Sequence, residues 1–369
     1  ESKYEGVSTL TNVLFINPSS LKRISSSSFK DCTALMQISI PPSVESIGSF
    51  SFYNCSKMTQ ILIPSSVKNI DFSAFEECSS LIQVAIPSSV TKISSATFKS
   101  CSSLVQITIP SSVTEIGVGS FYDCSSLSEI TIPSSVTKIG EKAFANCSSL
   151  NEITIPSSVI KIGKNAFEKC SLLKRIKIPA SIQEINEGTF CGCDSLTEII
   201  IPSSVTIIGK SAFKKCSSLE QISIPNSVVM IGDSSFWECT SLSKIAIPNS
   251  VTKLGENVFT DCYALYQFII PHSISRISSG LFCECSSLTE IEIPSSITEI
   301  CNFAFYNCPL SKVTIPNSVT KIGSGAFSKC KKLSQIFLPS SLKEIEEGAF
   351  SNCFSLAQID IPSSITKIS

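Results

Sequence analysis

Apolar residues recur along the chain with a period of 23 residues. We number the 23 places of this repeat from its Pro, which is place 1. In the unit formed by residues 133–155, apolar side chains occupy places 4, 7, 12, 18, 21 and 23. These are, in order, Val136, Ile139, Phe144, Leu150, Ile153 and Ile155. The ending Leu-x-x-Ile-x-Ile alternates as a short β-strand does, and its branched residues favour extended backbone. Val-Thr-Lys-Ile-Gly predicts a second short extended segment. Ala-Phe-x-x-Cys is too short for a proper helix and predicts a single turn of 3₁₀ or α helix.

The repeat covers nearly the whole chain of 369 residues. Its Pro returns every 23 residues from Pro18 to Pro362, except for a step of 22 between Pro294 and Pro316. Place 12 is Phe and place 15 is Cys in all fifteen complete units. We therefore predict one array of about sixteen units over residues 18–369, with residues 1–17 as an irregular segment or partial cap. The chain begins without Met and ends in mid-unit, which we interpret as a fragment of a longer protein.

One such unit cannot enclose a core, but stacked units place equivalent residues about 4.8 Å apart, the spacing of neighbouring strands. Ladders of Ile, Phe, Leu and Cys then fill the inside of a solenoid. Parallel strands joined by crossovers favour a right-handed path. We expect an elongated right-handed solenoid of roughly 75 Å for sixteen units at this spacing.

The repeat resembles a known family. Leu127-x-x-Ile130-x-Ile132 matches the leucine-rich repeat pattern. With the following Pro-x-x-Val-x-x-Ile-Gly-x-x-Ala-Phe-x-x-Cys, it is similar to the BspA-like, or Treponema pallidum-type, class, and the Ser-rich version here resembles the protist branch. The resemblance implies a right-handed superhelix with a parallel β-sheet on its concave face. It also implies a surface or secreted protein that takes part in adhesion, and it brings no catalytic residue.

Composition argues against several other classes. Lys and Arg total 29 against 30 Asp and Glu, so bulk charge does not favour nucleic-acid binding. No apolar run approaches the ~18 residues of a membrane span. The single His272 stands at place 2, where a surface turn is expected, and no phosphate-binding Gly-rich loop occurs. We therefore expect neither an enzyme nor a cofactor.

The chain has 18 Cys, which we predict to be reduced. Ladder cysteines point the same way from coils ~4.8 Å apart, whereas a disulfide needs Cβ atoms about 3.8 Å apart and side chains turned toward each other. Cys191, Cys283 and Cys301 lie off the ladder, and the first two are the expected solvent-reactive thiols. Their Cys-x-Cys pairs lack further ligands for zinc. Asn54 and Asn146 match the glycosylation pattern only as by-products of the repeat.

Places 20 and 22 of the strand, with place 19 beside them, are expected on the concave face and vary most between units. The chemically richest set, which we predict to bind a partner, is Lys174, Arg175, Lys177, Glu198, Ile200, Tyr266, Gln267, Ile269, Glu290 and Glu292. A span of several coils suits a folded protein better than a small ligand. Two alternatives stay open: exposed ion pairs of the basic residues with Glu152 and Glu198, and a binding surface on the outer side around Trp237.

Two functions from different classes fit this sequence. The leading hypothesis is a cell-surface or secreted adhesin that recognises a host protein, extracellular matrix or a glycan through its concave face. The alternative is a cytoplasmic scaffold that uses the same face for an intracellular partner, which free thiols favour. In either case an uncapped solenoid end can pair with another copy, so oligomerisation through the ends is expected to be possible.

Overall fold

The computed structural model describes residues 4–15 and 20–366. In these residues the chain forms 28 short strands joined by turns, with parallel pairing throughout. The predicted boundary between residues 17 and 18, like the final residues 367–369, lies outside the described residues. The chain divides into two compact units, Glu1–Ile182 and Gln183–Ser369.

Most coils carry a face strand at places 20–22, and a side strand lies at places 6–7. The face strands of the N-terminal unit are β1 Asn12–Val13, β3 Gln37–Ile38, β5 Gln60–Leu62, β7 Gln83–Ala85, β9 Gln106–Thr108, β11 Glu129–Thr131, β13 Glu152–Thr154 and β15 Arg175–Lys177. Its side strands are β2 Arg23–Ile24, β4 Ser46–Ile47, β6 Asn69–Ile70, β8 Lys92–Ile93, β10 Glu115–Ile116, β12 Lys138–Ile139 and β14 Lys161–Ile162. Equivalent places pair, as in Ile130 with Ile153.

The C-terminal unit repeats this plan. Its face strands are β17 Glu198–Ile200, β19 Gln221–Ser223, β21 Lys244–Ala246, β25 Lys312–Thr314 and β27 Gln335–Phe337. Its side strands are β16 Glu184–Ile185, β18 Ile207–Ile208, β20 Met230–Ile231, β22 Lys253–Leu254, β23 Arg276–Ile277, β24 Glu299–Ile300, β26 Lys321–Ile322 and β28 Glu344–Ile345. The described residues of the two units form about fourteen turns, slightly fewer than the sixteen predicted units.

The segment between side strand and face strand is not helical, and the predicted helical turn is replaced by successive tight turns. Cys147 N–H donates to the carbonyl of Phe144 at 3.2 Å, closing one such turn. The amide of Phe144 instead donates to Ala166 of the next coil at 2.9 Å. Lys142 and Asn146 have φ values of 53° and 61°, in the left-handed region. A helix cannot form here because alternate amides bond between coils and left-handed residues interrupt the turn.

The core consists of continuous ladders, as the repeat predicts. Phe144 is fully buried and stacks on Phe121 and Phe167, with ring centroids 5.4 and 5.5 Å apart. All 18 cysteines are free, and those at place 15 are buried. The Cys147 thiol donates to the carbonyl of Phe121 in the preceding coil at 3.2 Å, and burial raises its pKa well above the usual range. The ladder cysteines therefore serve as buried donors that join neighbouring coils.

Candidate functional site

The face strands present alternate side chains to solvent. In β15, Arg175 and Lys177 are exposed on either side of the buried Ile176, and the other three-residue face strands show the same pattern. Places 20 and 22 thus form an exposed surface, as predicted. We call this surface of each unit its strand face.

The ten predicted partner-binding residues are divided between the two units. Lys174, Arg175 and Lys177 belong to the N-terminal unit, and Arg175 lies opposite Glu152 of the neighbouring strand. The other seven belong to the C-terminal unit. Of those, Glu198 and Ile200 stand on β17, and the Ile200 side chain is 53% exposed.

The remaining five predicted residues come together. Tyr266, Gln267, Ile269, Glu290 and Glu292 line one groove of about 1200 Å³ on the C-terminal unit's strand face. Ile269 is 74% exposed and Tyr266 is 54% exposed, so the groove offers apolar surface to a ligand. Three further residues on its rim are His272, Lys312 and Thr314.

The groove lies where the strand ladder is interrupted. Gln267 makes a single bridge to Lys244 of β21, and regular pairing resumes only between β25 and β27. Among the described residues, no backbone hydrogen bond involves residues 289–293. Ile291 is only half-buried, whereas Ile245 and Val313 at the same place are 4% and 1% exposed. The coil at 289–293 therefore leaves peptide groups of its strand segment unpaired.

A residue change in the core accompanies this interruption. Phe268 stands at place 21, where most units carry Ile. Its buried ring packs against Phe259 and against the edge of Phe282, with centroids 5.1 and 4.8 Å apart. The larger ring takes up core volume beside Phe282, and Ile291 of the following coil does not reach full burial. The hydrophobic pattern of the sequence does not reveal this change, because Phe and Ile both count as apolar at this place.

The charges of the groove are mainly acidic. Glu290 and Glu292 are exposed, and neither forms an ion pair within the described part of the chain. The nearby Lys312 ammonium lies 5.2 Å from the centre of the Phe337 ring, on the side away from the acidic coil. Two carboxylates beside exposed apolar side chains are thus available to a ligand.

A second groove, of about 790 Å³, lies on the N-terminal unit and was not predicted from the sequence. Four glutamines at place 20 form a ladder along it, and two of its apolar residues, Leu14 and Leu62, are 85% and 79% exposed. The residues lining this groove are all uncharged. The sequence signal for this groove is the run of Gln at place 20: Gln37, Gln60, Gln83 and Gln106.

On the outer side of the coils, around Trp237, the side chains bond to one another and leave less surface for a ligand than the strand face does. The indole N–H of Trp237 donates to Asp261 at 2.9 Å, and Lys214 lies 4.0 Å above its ring. Cys191 and Cys283 are half-buried. Burial, with Glu284 and Asp261 nearby, raises the pKa of Cys283 to about 12, which disfavours the thiolate form on which the expected reactivity of this thiol depends.

The described residues hold no group of three or more His, Cys, Asp or Glu side chains placed to bind a metal ion. Among them there is also no helix that combines the length and apolar character of a membrane span.

Comparison with known proteins gives a consistent result. The sequence profile of the BspA type leucine rich repeat region (6 copies) matches residues 4–126, 137–266, 183–308 and 259–369. The chain is similar to a leucine-rich repeat protein from Bacteroides ovatus, with 34% identity over 94% of this chain and 88% of that one and a TM-score of 0.81. No protein in the curated set matches the chain.

Two further solved structures are similar. One is a leucine rich cell surface protein from Faecalibacterium prausnitzii, with 33% identity over 86% of this chain and 83% of that one and a TM-score of 0.55. The other is the T. pallidum leucine rich repeat protein, with 34% identity over 43% of this chain and 77% of that one and a TM-score of 0.42.

Proposed function

Because the chain belongs to the BspA-type leucine-rich repeat family, we propose that it is a non-enzymatic binding protein that recognises a protein partner through its strand face. The observation that carries this proposal is the exposure of Tyr266 and Ile269 in one groove. Exposed aromatic and aliphatic side chains that cluster on a stable surface are typical of binding hot spots. We expect no cofactor and no nucleic-acid ligand.

We further propose a cell-surface or secreted adhesin, with a host protein, extracellular matrix or a glycan as its partner. The similar Faecalibacterium protein is described as a cell surface protein, which supports this location for the present chain. Repeats of this kind offer a long, uniform surface for a large ligand. Association through the solenoid ends is a further expectation, since unpaired edge strands can join another copy.

A cytoplasmic scaffold is the second candidate, and the 18 free thiols favour it. Reduced cysteines are usual in the cytosol, while extracellular proteins rich in Cys commonly form disulfides. The ladder thiols are buried, however, and thus protected in either compartment. Localisation of the full-length protein on intact cells, with and without permeabilisation, distinguishes the two candidates.

Binding of the chain to an immobilised basement-membrane preparation and to a glycan array tests the adhesin proposal. We expect Tyr266→Ala combined with Ile269→Ser to weaken binding by more than about 1 kcal/mol, a loss that only a minority of interface side chains cause when they are truncated. Both side chains are mostly exposed, so the free energy of unfolding should change little.

The control variant is Leu62→Ser, which removes an equally exposed aliphatic side chain from the other unit's strand face. It should leave binding unchanged. If the double variant binds normally while Trp237→Ala abolishes binding, the outer side is the binding surface and our assignment fails. Absence of binding by the unaltered chain in both assays would contradict the adhesin proposal itself.

A further inference from the structure

We propose that the strand face of the C-terminal unit binds an amphipathic α-helix of a partner protein, through side-chain contacts alone. This inference rests on the proposed binding function of that face and specifies the structural class of the partner segment. Three observations support it: the dimensions of the face, the order of its exposed residues along successive coils, and two carboxylates without an ion pair in the described part of the unit.

The dimensions of this face fit a helix that lies across the strand segments. Four successive coils supply the segments, at residues 267–269, 290–292, 312–314 and 335–337. The core phenylalanines of these coils have ring centroids 5.9, 5.5 and 5.2 Å apart, close to the ~5.4 Å pitch of an α-helix. Each segment together with place 19 is about 13 Å long at ~3.3 Å per residue, against a helix diameter of about 10–12 Å. A helix along the stack therefore meets one coil per turn.

The exposed residues at place 22 determine the order of side chains on the helix. Along this column the exposed Ile269 is followed by Glu292, by the small Thr314 and by Phe337, which is 52% exposed. On a helix, the stripe formed by residues i, i+3, i+7 and i+10 advances at nearly the same rate. A complementary helix thus carries aliphatic residues at both ends of its stripe, and basic residues one turn from the end that covers Ile269.

The charges of the face favour those basic residues. Glu290 and Glu292 are both exposed, and neither forms an ion pair within the described residues. Lys312 of the next coil has its ammonium 5.2 Å from the centre of the Phe337 ring, at the far end of the face. Because complementary charges give an interface its specificity, the two carboxylates select helices with Lys or Arg between the aliphatic residues.

Fluorescence anisotropy of a labelled synthetic helix with the complete chain tests the proposal. The probe is Gln-Ala-Leu-Gln-Ala-Lys-Lys-Gln-Ala-Ala-Gln-Ala-Leu-Leu-Gln-Ala, cross-linked outside its stripe because short helices are marginal in water. It is used in both sequence orders, since the stripe can be read in either direction. One comparison peptide exchanges the two lysines with glutamines outside the stripe, and another carries Pro at both central alanines. We expect one order of the probe to bind, and each comparison peptide to bind at least 10-fold more weakly.

Charge reversal provides the decisive variant. Glu290→Lys with Glu292→Lys should weaken the probe at least 10-fold. The reversed chain should instead bind a probe in which Glu replaces both lysines. Lys occurs at place 20 in Lys312 and at place 22 in Lys177, so the repeat tolerates both changes. Binding of the original probe should also weaken with added salt, because exposed charges are screened.

Phe337→Ala tests the far end of the face and should weaken the probe at least 5-fold. Its matched control is Phe354→Ala, which removes an exposed phenylalanine at place 16, outside the face. The control for charge is Glu129→Lys with Glu152→Lys, on β11 and β13 of the other unit. Both controls should change the affinity less than 2-fold, and urea unfolding verifies that every variant is folded.

Equal affinity for the peptide with displaced lysines, or for the Pro-containing peptide, would overturn the proposal, because binding would then need no helical stripe. A charge-reversed chain that still prefers the lysine probe would also overturn it. The proposed function can fail separately. If Tyr266→Ala with Ile269→Ser abolishes matrix binding while neither order of the probe has affinity for the unaltered chain, the strand face binds a partner that is not a helix. If the probe binds as expected while the unaltered chain binds neither matrix nor glycans, helix binding stands and the adhesin proposal fails.

Discussion

Phe144 shows how much stability a single core residue contributes at the scale of side chains. Its ring is fully buried between two parallel rings, so Phe144→Ala leaves a cavity that the neighbouring coils cannot fill. We expect the free energy of unfolding to fall by about 3–5 kcal/mol, which urea denaturation of the complete chain measures.

The matched control is Phe354→Ala, because the Phe354 side chain is 75% exposed. Its effect should stay within about 0.5 kcal/mol. A loss below 1 kcal/mol at Phe144 would show that stacked phenylalanines do not carry the core.

At this scale the sequence predicts burial well and polar contacts poorly. Phe and Cys recur at fixed places, and both ladders are inside the structure. The bond from the Cys147 thiol to the Phe121 carbonyl could not be predicted, because it depends on how neighbouring coils are offset. The half-buried environment that suppresses ionisation of Cys283 likewise depends on Asp261 of another coil.

Ion pairs between side strands give a pH-dependent prediction at the scale of elements. Glu115 on β10 lies 2.8 Å from Lys138 on β12 and 3.0 Å from Lys92 on β8. The hydrogen bond from Lys138, with the bond and charge of Lys92, holds the pKa of Glu115 below its usual value. A carboxyl whose pKa is lowered by folding stabilises the fold above its unfolded pKa and loses this effect as the pH falls through the folded pKa.

We therefore expect Glu115→Gln to lower the free energy of unfolding by roughly 0.5–1 kcal/mol at pH 7, since the lysines are about half exposed and solvent screens them. The difference should vanish near pH 2–3, where both forms of the chain carry a neutral side chain at this place. Urea unfolding at both pH values and low salt measures it. A difference that persists in acid would show that the effect does not come from charge.

The elements themselves were predictable because the 23-residue period and its alternating ending repeat fifteen times. The turns were not, since a helical turn and successive tight turns place the same apolar residues inward. Which one forms depends on bonds such as that from Phe144 to Ala166 between coils. The interruption at residues 289–293 was hidden for a related reason: Phe268 keeps the apolar pattern and changes only the volume.

On the scale of the whole molecule, the variety of charged, aromatic and aliphatic residues along the strand face predicted only part of the candidate site. It identified Tyr266, Ile269 and the two glutamates, which the structure brings into one groove. It also joined them to Lys174 and its neighbours, which belong to the other compact unit. Variation between repeats shows where coils differ in their side chains, whereas the groove also depends on how neighbouring strand segments pair, which the repeat does not specify.

The thiols of the whole chain provide the last prediction. All 18 cysteines are free in the structure, and burial raises the pKa of the ladder thiols, in Cys78 to about 12. At pH 8 a thiol with a pKa of 12 is a thiolate in roughly one molecule in ten thousand, against about one in four at the usual pKa near 8.5. Native protein should therefore react with a thiol reagent far more slowly than the denatured chain. Titration of the denatured chain under non-reducing conditions should detect close to 18 reactive thiols per molecule. Eight or nine disulfides in that titration would contradict the parallel thiol ladder, because neighbouring side chains that point the same way across a strand spacing cannot form them without moving the backbone.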